Sequence, residues 1–116
     1  MAPKLNELET AVLETIIVRE SSHSEILKFQ MKDIVVLGRE NSGAGFFTRL
    51  NPIHRQKPVG VSVINTNVAA QIEGLKNLMV FVLFADASGL LNMLEGASVA
   101  ESTTSIDFSK ASFRII

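Results

Sequence analysis

Cysteine, tryptophan and tyrosine are all missing from this 116-residue chain. Without Cys there can be no disulfide, no thiolate metal site and no Cys nucleophile. Such a composition suits the cytosol, although secreted proteins can also lack Cys. Without Trp and Tyr, seven Phe are the only aromatic residues. The chain therefore has few of the rings on which nucleic-acid modules stack bases. A bias of charge is missing too. The formal net charge is -1, which supplies no field to draw in nucleic acid or anionic lipid. The longest strongly apolar run, Leu78 to Ala85, falls far short of the roughly 20 residues a membrane helix needs. Glu7, Glu9 and Glu14 interrupt the early apolar residues and break up any signal-like run. The expectation is a soluble, cytoplasmic protein with no nucleic-acid partner, no membrane association, no metal and no cofactor.

What the chain does have is apolar residues. They make up 47% of a sequence whose length fits a single domain, residues 1–116. Counted with Gly, that fraction lies slightly above the roughly 45–50% usual for soluble domains. A subunit interface or a rich monomer core would each absorb the excess, and composition does not choose between them.

The first half opens with helical periodicity. Leu5, Leu8, Val12 and Ile16, widened by Leu13 and Ile17, predict a helix over 6–20. Asn6 with Glu9 three residues on fits a capping box. Glu9 then falls in the first turn at the helix edge. Ser21 to Ser24 interrupts the helix, and Ser22 with Glu25 repeats the capping pattern. A shorter helix is expected over 23–31, with Ile26, Leu27, Gln30 and Met31 as a weak apolar edge.

From Lys32 the period changes to two. Ile34 to Leu37 reads as a strand, Asn41 to Gly43 as a turn, and Ala44 to Leu50 as a second strand. Pro52 and Pro58 bracket a loop. Val59, Val61 and Val63 alternate with Gly60 and Ser62, predicting a third strand. Residues 68–75 are ambiguous between helix and strand and end in a turn at Gly74. Leu78 to Ala85, apolar on both faces, belongs at the sheet centre. Asp86 to Gly89 reads as a hairpin loop, and Leu90 to Glu95 as the returning strand. Seven Ser or Thr in residues 98–112 suggest a surface excursion. The apolar end, Phe113 to Ile116, predicts a final strand. The fold expected is α+β: an N-terminal helical hairpin packed on one face of a mainly antiparallel sheet of about six strands.

Each chemical motif has a plain structural reading. Gly38 to Gly45 is glycine-rich, but it lacks the Lys-Ser/Thr pair of a phosphate loop and leads into a strand. Gly43 and Gly45 read as turn and bulge glycines. Phe46 and Phe47 must point to opposite faces of their strand, as must Phe81 and Phe84. Phe46 and Phe47 are therefore the interface candidates. Arg39, Glu40, Thr48 and Glu95 are the candidate ligand-binding residues, grouped near predicted strand pairings. A cross-strand ion pair from Arg39 or Arg49 to Glu95 is the structural alternative. His23 and His54 have no companions at metal-ligand spacing. His54, Arg49, Arg55 and Lys57 form a basic cluster that reads as a solvated loop. No catalytic residue is assigned.

Two motifs carry a family resemblance. RENSGAGFFTRL and LKNLMVFVLFADASGLLNMLEG resemble an uncharacterised family of small bacterial proteins. Its members carry an R-E-x-x-G-x-G-F-F-T stretch, an apolar strand, and a hairpin ending in L-x-M-L-E-G. The matching positions are Arg39, Glu40, Gly43, Gly45, Phe46, Phe47 and Thr48, then Leu91, Met93, Leu94, Glu95 and Gly96. Family members continue with Tyr residues, where this chain has Ala97, Ser98 and Val99. The resemblance implies the fold and a bacterial origin, and no activity. The leading expectation is a non-catalytic interaction module acting as a homodimer. A small-ligand-binding protein with its pocket between helices and sheet is the alternative. A small hydrolase using Glu40 or Glu95 as base stands third.

Overall fold

A computed structural model describes residues 4–116. Two helices, α1 (Glu7–Arg19) and α2 (Ser24–Met31), precede six strands: β1 (Val35–Asn41), β2 (Gly45–Asn51), β3 (Val63–Ile72), β4 (Met79–Ala85), β5 (Leu91–Ala97) and β6 (Phe113–Ile115). The strands form one sheet in the order β1-β2-β5-β4-β3-β6, and every neighbouring pair is antiparallel. The α+β architecture expected from the sequence is present.

Helix α1 buries Leu8, Val12, Leu13, Ile16 and Ile17, the stripe its periodicity announces. Each such side chain contributes about 1.5–3 kcal/mol when fully removed from water. The capping box closes as expected. The Asn6 side chain accepts from the Glu9 amide at 2.8 Å, and the Glu9 carboxylate accepts from the Asn6 amide at 2.8 Å. At the other end Arg19 donates to the carbonyls of Asn67 at 3.0 Å and Ile116 at 2.9 Å. That contact places a cation at the helix C-terminus, where the dipole favours it, and ties α1 to β3 and the chain end.

Helix α2 starts differently from its expected pattern. His23, not Ser22, is the N-cap, and its side chain makes no capping bond. Its imidazole faces Glu20 instead, at 3.1 Å. Gln30, expected on an apolar edge, is fully buried and fully bonded. Its amide donates to the carbonyls of Lys57 at 2.9 Å and Gly89 at 2.8 Å and accepts from the Leu91 amide at 2.7 Å. One side chain thus fastens α2 to two loops and to the start of β5.

The Val59–Val63 alternation does not form a strand; β3 begins at Val63. The reason lies in its neighbour. Val63 pairs with Phe84, and β4 ends one residue later at Ala85. Ser62 still accepts from the Ala85 amide at 2.9 Å, and upstream of it there is only the Asp86–Gly89 turn to face. Val59 meets it by donating to the Gly89 carbonyl at 2.8 Å while its side chain is buried. The ambiguous segment from residue 68 resolves as strand to Ile72, followed by the turn at Gly74 (φ 94°).

One face of the sheet packs against α1, α2 and the 98–112 segment, and there the core lies. Ile64, Val68, Ala70, Met79, Phe81, Leu83, Leu94, Phe46 and Leu50 all point that way. The 98–112 segment has irregular backbone as expected, yet it is more than a surface excursion. Thr103 is fully buried, accepting from the Gly45 amide at 2.9 Å, and Ile106 and Phe108 pack on the core. Thr103 and Ser98 bond backbone groups inside the fold, while most of the other Ser and Thr side chains of the segment face water.

Candidate functional site

Glu9 and Arg39 meet on the covered face. Glu9 is 1% exposed, although it sits in the first turn of α1. Its two carboxylate oxygens accept four bonds: from the Asn6 amide, from Arg39 Nε at 2.8 Å, from Arg39 Nη2 at 2.8 Å, and from Thr48 Oγ1 at 2.5 Å. The Arg39 pair is bidentate, the strong geometry for this contact. Burial pushes the Glu9 carboxyl up. The bonds from Arg39, Thr48 and Asn6, with the Arg39 charge, outweigh burial and hold it below its ordinary value. The same hydrogen bond raises Arg39. With every lone pair of Glu9 engaged, the group is a structural anion rather than a base waiting for a proton.

A bulge in β1 makes this meeting possible. Val36 pairs with Leu50 and Gly38 with Arg49, so Leu37 is extra. Val36 and Arg39 are three residues apart, a spacing that puts them on opposite faces of a regular strand. The bulge cancels that mismatch, so both face the helices while Leu37 is left exposed. Arg39 then lies beside Thr48, its register partner on β2.

The four ligand-binding candidates therefore divide. Arg39 and Thr48 lie on the covered face, in the Glu9 network. Glu40 and Glu95 lie on the other face, one on each side of Phe47 in the register Glu40–Phe47–Glu95. Among the described residues, neither Arg39 nor Arg49 pairs with Glu95. Sequence reading missed Glu9 as Arg39's partner. The available signal was a carboxylate within the apolar stripe of α1.

The two Phe residues also divide. Phe46 is buried, with ring centroids 6.1 Å from Phe81 and 4.8 Å from Phe108. Between Phe46 and Phe81 lies Gly96, where a Cβ would come within 2.7 Å of the Phe46 ring. Phe47 emerges on the open face. Its neighbours there follow from the register. One row runs Phe47, Glu95, Val82; the next runs Arg49, Met93, Phe84, Val63; another runs Ala97, Val80, Ala69. Val63 and Val80 are 52% and 44% exposed. No element among the described residues packs across these rows.

No family model, curated protein or solved structure matches the chain.

A cleft of about 510 Å³ opens on the covered side, beside the Glu9–Arg39 pair. Phe46, Ile106 and Phe108 line it together with Asn6, Glu40, Asn41 and Asp107. The two imidazoles lie elsewhere. His54 is 3.4 Å from Asp33 and tilts against the Phe29 ring, over which Lys57 sits at 4.8 Å. Each imidazole thus faces one carboxylate, and no group of three or more metal-ligating side chains occurs among the described residues. No helix among them is long and apolar enough to cross a membrane.

Proposed function

We propose that the protein is a non-catalytic interaction module that works as a homodimer, with the open sheet face as its interface. The observation that carries this reading is the apolar content of that face. Phe47, Val82, Met93, Phe84, Val63 and Val80 come from four adjacent strands and have no cover among the described residues. Contiguous apolar surface of this kind marks an association site.

Size and charge favour a second copy as the occupant. Four strands, three of them 7 residues long, at about 3.4 Å per residue and about 4.8 Å apart, span about 24 by 19 Å. That footprint of about 460 Å² is more than half of the roughly 800 Å² per partner of a standard interface. Glu95 and Arg49 sit in adjacent rows among the apolar side chains, with no ion-pair partner among the described residues. A two-fold pairing, in which one patch meets itself, lets Arg49 of each copy answer Glu95 of the other. The resemblance of the two motifs to small bacterial proteins supports a bacterial setting, and we place the dimer in the cytoplasm.

Light scattering across a concentration series tests the reading. A dimer is expected at tens of micromolar, and Phe47→Asp should give a monomer with an unchanged circular dichroism spectrum. A wild-type monomer at high micromolar concentration defeats the proposal.

A further inference from the structure

We infer that the cleft beside Glu9 and Arg39 is a binding site for a small organic cation with an apolar, preferably aromatic, body. The site lies on the opposite side of the sheet from the proposed dimer face, so the inference stands or falls independently of the homodimer.

The cleft volume of about 510 Å³ falls within the roughly 300–1,000 Å³ of small-molecule sites. One wall is apolar. Phe46 and Phe108 meet at 4.8 Å between centroids with their planes tilted by 52°, and Ile106 extends the surface. Phe108 is only partly buried, so some of its ring area is offered to an occupant rather than spent in the core.

Charge then selects among apolar ligands. The lining holds three carboxylates, Glu9, Glu40 and Asp107, against one guanidinium, Arg39. Glu9 and Arg39 neutralise each other in a bidentate pair. Glu40 borders the cleft from the edge strand β1 but turns its side chain to the other face, in register with Phe47. That leaves Asp107 in surplus, with no ion-pair partner among the described residues. Asp107 uses only Oδ1 internally, accepting from the amide and hydroxyl of Ser109 at 3.0 and 2.6 Å. Its Oδ2 is left for an incoming donor. One unpaired carboxylate beside aromatic faces suits an ammonium group, which is attracted both by the anion and by the ring quadrupoles. The same surplus repels phosphates and other polyanions.

The test is a set of NMR titrations with three probes that share one aromatic body: phenethylamine, phenethyl alcohol and hydrocinnamate. The Phe46, Phe108 and Ser109 resonances are followed, in wild type and in the Phe47→Asp variant. The amine should bind about three- to fivefold more tightly than the alcohol, the advantage of a solvent-screened ion pair, and the carboxylate should bind most weakly. Raising the salt concentration should narrow the gap. Asp107→Asn, which keeps an oxygen for Ser109, should weaken the amine and leave the alcohol unchanged. Glu40→Gln, a change on the other face, should leave both unchanged. Tightest binding by hydrocinnamate would show that Arg39 sets the preference and overturn the inference. So would the absence of any shift at these resonances at millimolar probe, or equal loss of amine and alcohol in Asp107→Asn.

Discussion

Replacing Arg39 with Met removes the charge while retaining much of the side chain's apolar stem. It leaves the Glu9 carboxylate, 1% exposed, with only the Asn6 amide and the Thr48 hydroxyl as donors. Removing one partner of a fully buried ion pair costs roughly 3–5 kcal/mol. Arg39's side chain is 38% exposed, so water can take up part of its role, and about 2–3 kcal/mol is the discounted figure. At about 2.1 cal/mol/K of unfolding entropy per residue, a chain of this length loses about 4 °C per kcal/mol, giving a fall of about 8–12 °C. Urea denaturation of wild type, Arg39→Met, Glu9→Gln and the double variant measures the pair directly. Gln at residue 9 can still complete the capping box, so Glu9→Gln isolates the charge. The double variant should be more stable than the sum of the single losses implies, by at least about 1 kcal/mol. The sign with pH follows from the lowered Glu9 value. A carboxyl depressed by folding gives stability that is present above its unfolded value of 4.5 and is lost as pH falls through the folded value. In Arg39→Met, burial dominates and acid relieves the stranded charge, so the gap between variant and wild type should close between neutral pH and about pH 3. A penalty below about 0.5 kcal/mol that does not change with pH would refute the reasoning.

Gln30→Leu should cost about 2–4 kcal/mol in urea denaturation, because it strands the Lys57 carbonyl and the Leu91 amide and leaves the Gly89 carbonyl with only the Val59 amide as donor. A loss under about 1 kcal/mol would mean that water replaces those bonds. Gly45→Ala should prevent stable folding, since its Cβ would lie 1.9 Å from the Gly96 carbonyl oxygen at a φ of 133°. Gly60→Ala, with nothing within 4 Å, should stay within about 0.5 kcal/mol of wild type. Equal melting temperatures for the two alanine variants would contradict that contrast.

Local signals in the sequence located what depends on neighbours along the chain. The Asn6–Glu9 box, the positive-φ glycines at 43, 74 and 89, and the opposed faces of Phe46 and Phe47 are all set by residues within a few positions. Non-local features stayed hidden for specific reasons. Arg39 reaches Glu9 only because Leu37 is a bulge, and bulges have no signature in a run of Val and Leu. Val59 and Val61 alternate like a strand, but a ladder needs a partner, and β4 has already ended at that level. Thr103 looks like a surface residue by type; its burial depends on the Gly45 amide and the Asn41 side chain, far upstream. Of the candidate site, the residues were legible and their partition between two faces was not.

The strand order has a kinetic consequence. The β1–β2 hairpin and the β3–β4–β5 meander each form from neighbouring segments, while β2 and β5, nearly half the chain apart, pair along a single seam. Closing that seam carries the largest loop-entropy cost within the sheet's first five strands. It is the point at which two independently nucleated pieces become one protein. Gly45, opposite Ala97 and against the Gly96 carbonyl, permits an approach there that no side chain would allow. The barrier to folding belongs at that junction, and a chain paused before it would present the bare edges of both pieces to its neighbours.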